Sequence, residues 1–557
     1  MAELQASKAQ IAPSTNGPSI DRRGFVAAIA AAAATPAFGE KIMTPEPVVE
    51  TRLGKVRGVV ADGVIAFKGL RYAVAERFMP PRAPAPWTGV QDAIAFGATA
   101  PQTNPNPPPG PPYVITAQFP RPANAPPPAK AVESEDCLFL NVWTASAERG
   151  AKRPVMVWLH GGFFYGGSGA TGDGSALAKR GDVVVVSLNH RLNAFGYCHL
   201  AEYGSDFAHS GNAGMLDIVA ALEWVRDNIE AFGGDPRRVM VFGASGGGMK
   251  TSFLMASPRA AGLIHRAGVQ SGPGLRFMER DAASHATELL FAELGLKRGD
   301  VGGLRSMPVQ QLLAGYHAVA EKLPPKRFID LASFSPVIDP DLLPRHPFSP
   351  DAAPLTRTIP MLIGWNAQEM SFFMGNDPAG FELDEAGFRT RMQNFLGERA
   401  NTAFDLYQRK YPGSSPSRRY IQAFSDYSLM LPVLAQADRK AAAGDPATYA
   451  YRFDRQSPAL GGKLGALHTS EAPYVFDLVE KSAAMTGNTS EAQALAKVMS
   501  SAWVNFAATG NPNGAGVLHW PAYAEADRQI MLLDDRCSIA SNPGTEERAL
   551  MEPLLRT

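Results

Sequence analysis

Short, almost wholly apolar runs recur along the chain at Pro154–His160 (PVMVWLH), Asp182–Leu188 (DVVVVSL), Val239–Gly243 (VMVFG) and Ile359–Gly364 (IPMLIG). Runs this short, without alternation of polar and apolar residues, suit strands buried on both faces, the condition of a parallel sheet. Between the second and third, Met215–Phe232 (MLDIVAALEWVRDNIEAF) spaces its apolar residues at helical intervals. Strands alternating with helices predict an α/β chain, its central and mostly parallel sheet flanked by helices on both faces. Glu279–Ala320 and Asp384–Lys440 also read as helical and lie between strands, so they are expected as insertions on one side of the sheet. From Glu50 to Ala66, β-branched runs cut by Gly54, Gly58 and Gly63 predict small antiparallel strands. No repeat or linker divides the chain, and one large domain over 40–557 is expected.

Composition narrows the function classes. With 45% hydrophobic residues among 557, wholesale disorder is excluded, and 53 basic against 53 acidic residues leave no footprint for nucleic acid. Cys137, Cys198 and Cys537 cannot build a disulfide framework, and none belongs to a CxxC pair. No apolar run reaches the roughly 18–20 residues of a membrane span. Near the start, DRRGFVAAIAAAAATPAFGE pairs Arg22 with Arg23 ahead of a short alanine-rich run that ends in small residues at Ala37–Gly39. This pattern predicts an export signal of the twin-arginine type over 1–39, and so a periplasmic or extracellular protein. An alanine-rich helix with an incidental arginine pair is the alternative reading. The segment 101–129 is so dense in proline that it is expected as a surface loop with polyproline stretches.

The chemistry is concentrated at the ends of the apolar runs. Val239–Gly243 passes into Ala244-Ser245-Gly246-Gly247 and then a helix-compatible stretch, which is GxSxG between a strand and a helix. There a serine sits on a sharp turn with its hydroxyl at the carboxyl edge of the sheet, making Ser245 a candidate nucleophile. A phosphate-binding reading of Gly243–Thr251 (GASGGGMKT) fails on spacing, because Met249 separates Gly248 from Lys250. The first apolar run ends in His160-Gly161-Gly162-Phe163-Phe164-Tyr165-Gly166-Gly167, similar to loops whose backbone amides hold an oxyanion. The candidate donors are the amides of Gly162, Phe163 and Gly246. A base and an orienting acid must follow in the order Ser, Asp or Glu, His. Pattern offers His468, in GALHTSEAPYVF, beside His160 and His190; for the acid it offers Glu369, with Asp339 and Asp426 not excluded.

Several stretches together resemble the type-B carboxylesterases, a family of α/β-hydrolases that includes cholinesterases and bacterial para-nitrobenzyl esterases. Phe232–Gly247 (FGGDPRRVMVFGASGG) resembles the family's serine signature, and Glu135–Trp143 (EDCLFLNVW) its second signature, with Ala145 where Pro, Gln or Arg is usual. Further similar stretches are FKGLRYA at Phe67–Ala73, RFMPP at Arg77–Pro81, GNAGMLD at Gly211–Asp217, WVNFAATGNPN at Trp503–Asn513 and WPAY at Trp520–Tyr523. The resemblance implies the α/β-hydrolase fold, with helical insertions forming a gorge or cap. It implies Ser245 as nucleophile, Glu369 as triad acid and His468 as base. It implies an ester and water as reaction partners, with no metal or organic cofactor. It leaves the oligomeric state open.

The departures from the family pattern carry expectations of their own. The family pairs the cysteine of the EDCL stretch with an earlier one, but Ala98–Gln102 holds none, so Cys137 is expected as a free, buried thiol. The proline-rich segment is expected to border the gorge and to be mobile. Gln368 and Met370 flank the acid where Asp and Gly are commoner. Phe163, Phe164, Tyr165, Phe372 and Phe373 suggest an apolar or aromatic substrate pocket, against the alternative that they are ordinary core. The activity expected is serine carboxylester hydrolysis. The alternatives are a silent binding or adhesion protein on the same fold, or cleavage of a lactone, carbamate or activated amide.

Overall fold

Among the described residues, eleven strands form one mixed sheet in the order β14 (Ser538–Ala540), β13 (Ile530–Leu533), β12 (Thr448–Phe453), β11 (Met361–Asn366), β10 (Arg266–Gln270), β9 (Gly234–Ala244), β7 (Arg153–Leu159), β8 (Val184–Leu188), β6 (Phe139–Thr144), β4 (Val64–Arg71), β3 (Val59–Ala61). The structure is a computed structural model, and it describes residues 46–105, 132–325, 327–374, 377–444 and 447–555. The parallel centre is built from β7, β8, β9, β10, β11, β12 and β13. Antiparallel strands close both sides: β3, β4 and β6 on one, β14 on the other. A separate small sheet joins β1 (Val48–Glu50), β2 (Lys55–Arg57) and β5 (Val90–Asp92).

The central strands are apolar throughout because both of their faces are covered. In β7, Val155, Val157 and Leu159 pack into one core while Met156 and Trp158 pack into the other. In β9, Val239 and Val241 divide in the same way from Met240 and Phe242. The period-2 geometry of a strand therefore feeds two hydrophobic layers at once. One layer holds the Ala213–Asn228 helix, and the other holds the Ser490–Thr509 helix with Trp503 and Phe506. The latter begins at Thr489, whose hydroxyl accepts from the amide of Ala492, and ends at Gly510 with φ +80°.

The expected insertions are helical but broken. Arg280–Glu293, Val301–Ser306 and Val309–Lys322 lie between β10 and β11. Glu385–Leu396, Ala400–Lys410, Pro416–Ser425 and Leu431–Ala442 lie between β11 and β12, with a π-helical turn over Asp426–Met430. The export signal expected over 1–39 lies outside the described residues, as do residues 106–129 of the proline-rich segment. The stems of that segment are described. Glu133 accepts from the amides of Gln102 and Thr103, and the Gln102 side chain clamps Gly167, donating to its carbonyl at 3.1 Å and accepting from its amide at 2.8 Å. The segment thus departs from and returns beside the glycine-rich loop after β7.

Candidate active site

Because the central strands are parallel, the segments leaving β7, β9, β11 and β12 share one edge of the sheet, where ligands of open α/β sheets bind. Ser245 follows β9 directly and precedes the Gly246–Ala256 helix. Its backbone is at φ 58° and ψ −125°, a conformation a residue with a side chain adopts only under constraint. The constraint is visible: its amide donates to the carbonyl of Gln270 at 2.8 Å, and its carbonyl accepts from Gly248 and Met249 as the helix starts. The flanking glycines are steric necessities. A Cβ on Gly243 would stand 2.4 Å from the Leu159 carbonyl oxygen, and one on Gly247 would stand 2.1 Å from it.

The loop after β7 packs its backbone on this turn. A Cβ on Gly246 would lie 2.4 Å from the Phe163 nitrogen, and one on Gly161 would lie 3.4 Å from the Ser245 Cβ. Gly162 and Phe163 hold positive φ of 79° and 49°, and the Gly162 carbonyl accepts from the amides of Tyr165 and Gly166. Among the described residues, none of the hydrogen bonds uses the amides of Gly162, Phe163 or Gly246. These amides are free to receive an acceptor from elsewhere.

Glu369 lies three residues beyond β11, fully buried, and His468 lies in the segment after β12. Their side chains meet: His468 Nδ1 is 2.5 Å from Glu369 Oε2. The other carboxylate oxygen of Glu369 accepts the Asn366 amide at 2.7 Å. A carboxylate at Nδ1 holds the ring proton there and leaves Nε2 as the bare acceptor. His468 Nε2 is buried and has no hydrogen-bond partner.

The rival candidates are engaged elsewhere. Asp339 faces His209, with Nδ1 and Oδ2 3.4 Å apart, and Asp426 accepts from Tyr407 and Gln422. His160 and His190 are buried and stacked, each with Nδ1 on a backbone carbonyl. Lys250, the residue that tempts a phosphate-loop reading, is buried with Nζ on the carbonyl of His160, 2.9 Å away. Among the described residues, His209, Asp339 and Asp341 have ligand atoms close enough to hold a cation. The two imidazole nitrogens face different carboxylates, at 3.4 and 3.6 Å, as in an ordinary ion-pair cluster.

Comparison with known proteins matches this architecture to one family. The carboxylesterase family model matches residues 45–551. This chain belongs to the carboxylesterase family. A para-nitrobenzyl esterase of Bacillus subtilis (strain 168) is 35% identical over 519 residues, covering 91% of this chain and 98% of that one. A phenmedipham hydrolase of Pseudarthrobacter oxydans is 32% identical over 507 residues, covering 88% and 96%. A crystal structure of a Geobacillus stearothermophilus carboxylesterase superposes with a TM-score of 0.76 at 35% identity, covering 90% of this chain and 99% of that one. The carboxylesterase is thus an α/β-hydrolase and a carboxylic ester hydrolase.

Around His468 the carboxylesterase carries a row of aromatic rings. Phe373 and Phe372 lie 4.9 and 5.8 Å from the imidazole, centroid to centroid. Phe328 stands 4.5 Å from Phe373 and 5.6 Å from Phe163, which stacks on the half-exposed Tyr165 at 5.6 Å. The row therefore runs from the loop after β7 to the imidazole. Phe164 corrects the sequence expectation: it is only 1% exposed and packs against Tyr197 and Phe277 in the core. Phe163 faces Phe328 and Tyr165, whereas the next ring, Phe164, packs into the core.

The two unusual neighbours of the acid have structural work. Gln368 donates to Gln422 and accepts from Ala466 and Gln456, joining the turn after β11 to the segment that carries His468. The Met370 amide donates to Ser425 Oγ, and its side chain is buried. Cys137 is a free, buried thiol whose ionisation burial pushes far upward, and Cys198 and Cys537 are also free. Sequence reasoning missed Phe328, which no motif marks, and Glu471, three residues after His468. Glu471 is fully buried and accepts from Gln270 Nε2 at 3.0 Å and Asn366 Nδ2 at 2.7 Å.

Proposed function

We propose that this carboxylesterase cleaves small to medium esters with an apolar or aromatic moiety, through an acyl-enzyme on Ser245. The observation that carries this reading is the 2.5 Å contact between Glu369 and His468, which leaves Nε2 as a buried acceptor without a partner.

His468 Nε2 takes the hydroxyl proton of Ser245 as Oγ bonds to the ester carbonyl carbon. The carbonyl oxygen becomes an oxyanion held by the amides of Gly162, Phe163 and Gly246. Collapse breaks the bond to the leaving alcohol, which receives the proton from the imidazolium. Water then gives its proton to Nε2, attacks the acyl carbon and releases the acid as Oγ regains the proton. Glu369 keeps the proton of the neutral imidazole on Nδ1 and stabilises the imidazolium. The row Tyr165, Phe163, Phe328, Phe373 and Phe372 supports an apolar or aromatic group beside the imidazole.

The Arg22-Arg23 pair and the alanine-rich run behind it support export by the twin-arginine route. Cell fractionation of the protein and of an Arg22→Lys, Arg23→Lys variant checks this, since retention of the variant alone in the cytoplasm is expected.

For the site, the test is stoichiometric inactivation by an organophosphate followed by peptide mass spectrometry. A single adduct on Ser245 is expected. An adduct on another residue, or turnover that survives the reagent, contradicts the assignment.

A further inference from the structure

Lys250 lies five residues after Ser245 on the Gly246–Ala256 helix, and its side chain is sealed from solvent. A lysine is among the costliest residues to bury, because its ammonium loses its hydration and needs replacement partners. Among the described residues, the Lys250 side chain makes one hydrogen bond, from Nζ to the carbonyl oxygen of His160 at 2.9 Å, and Nζ lies 5.7 Å from the centroid of the Phe164 ring. Among the described residues no carboxylate pairs with it. The titratable groups nearby are His160 and His190, their rings 4.9 Å apart, with the buried Arg191–Asp217 ion pair beyond His190. Burial, followed by the charge of Lys250, pushes both imidazoles well below their ordinary range, so both are neutral. Burial alone pushes Lys250 down to about 7.

The acceptor matters more than the burial. The His160 carbonyl belongs to the peptide that opens the Gly161–Gly162–Phe163 loop, and the orientation of that peptide sets where the following amides point. Lys250 belongs to the helix that Ser245 starts. Its hydrogen bond therefore ties the nucleophile's helix to the strand end from which the amide loop departs.

We propose that Lys250 is a positioning residue for ester hydrolysis: through the His160 carbonyl it fixes the oxyanion loop relative to Ser245, and it places a cation behind the amides that receive the oxyanion. The inference rests on the assignment of Ser245 and of the Gly162, Phe163 and Gly246 amides made above.

Lys250→Met keeps the length and apolar stem while removing the charge and the donor. With p-nitrophenyl butyrate, kcat falls by about ten- to a hundred-fold while KM stays within about two-fold. Affinity for an aryl trifluoromethyl ketone, whose adduct places an anion on the loop amides, falls by the same factor as kcat/KM. A lysine that only fills the core would lower Tm and leave kcat and ketone affinity intact, which overturns the proposal.

If the variant does not fold, the unaltered protein decides. With 13Cε-labelled lysine followed by NMR, the titration of Lys250 moves to higher pH when the ketone adduct forms, because an opposite charge favours the ammonium. An adduct with an unmoved Lys250 titration overturns this inference alone. No adduct at all overturns the assignment of Ser245 and this inference with it.

Discussion

Glu369 and Glu471, two fully buried carboxylates, are joined through one residue: Asn366 gives its backbone amide to Glu369 Oε1 and its side-chain amide to Glu471 Oε2, both at 2.7 Å. The second oxygen of Glu471 accepts from Gln270 Nε2, and the side-chain Oε1 of that glutamine accepts from the Trp503 indole at 3.2 Å. Asn366 Nδ2 also donates to the Leu467 carbonyl, next to His468. The acid and the base of the proposed triad are thus held by one polar network under the sheet edge.

That network requires a double acceptor at position 471. The indole fixes the Gln270 amide and the Leu467 carbonyl fixes the Asn366 amide, so both face Glu471 as donors. Glu471→Gln turns an NH2 group against one of them in a site without solvent. Burial, then the charge of Glu369, raises the Glu471 carboxyl above its usual range, so the substitution also relieves repulsion. An unsatisfied buried donor costs about 1–3 kcal/mol, and this outweighs the relief. Urea denaturation at pH 7.5 is expected to show a loss of that size, with a lower kcat and little change in KM.

Gly243 and Gly247, two residues either side of Ser245, leave no room for a side chain. A Cβ on Gly247 would meet the Leu159 carbonyl oxygen at 2.1 Å, and backbone cannot yield as a flexible side chain can. Gly247→Ala is expected to cut kcat/KM by about two orders of magnitude or more, since misplacing a reacting group by an ångström is worth about that much. Gly262→Ala serves as control: it has a positive φ but nothing within 4 Å of the added methyl, so a small stability loss with normal kcat is expected.

Phe328 bridges two rings of the aromatic row, and its removal tests the substrate class. Each aromatic pair is worth about 0.5–1.5 kcal/mol beyond area burial. Phe328→Ala is expected to lower kcat/KM for p-nitrophenyl benzoate about five- to ten-fold more than for p-nitrophenyl acetate. Equal losses on both esters would place the aromatic group of the substrate away from this row.

A pH effect on stability is expected from a buried carboxyl outside the proposed triad, joined to its acid's neighbour Gln368 through Gln422. Burial, reinforced by Glu547, pushes the Asp426 carboxyl up to about 7. The folded protein therefore keeps this proton to higher pH than the unfolded chain does. The stability it contributes is complete below the ordinary aspartate value and is lost as pH rises through about 7. Asp426→Asn can still serve Tyr407 and Gln422, and removes the titration. Melting curves are expected to show the variant gaining on the parent from pH 5 to pH 8; a constant difference would contradict this origin.

The sheet was legible because burial on both faces writes continuous apolar runs, as in Val184–Leu188, where every residue is buried. Ser245 was legible because its glycine flanks answer to a single carbonyl, that of Leu159. Pattern offered His468 and Glu369 only among rivals, and the family resemblance singled them out, since their contact joins residues 99 positions apart in segments without periodicity. Lys250 was seen only as a misplaced phosphate-loop residue, because its acceptor lies 90 positions away. Phe328 follows no pattern, and spacing alone does not separate Phe164, which takes the core alternative, from its neighbour Phe163, which faces Phe328.

The proposed mechanism stands on Ser245 as the nucleophile that His468 activates, and steady-state hydrolysis of p-nitrophenyl butyrate by the protein and by Ser245→Ala, with both melting curves, decides it. A loss of about three or more orders of magnitude in kcat at unchanged Tm is predicted. A folded Ser245→Ala variant with kcat within about ten-fold of the parent would contradict it.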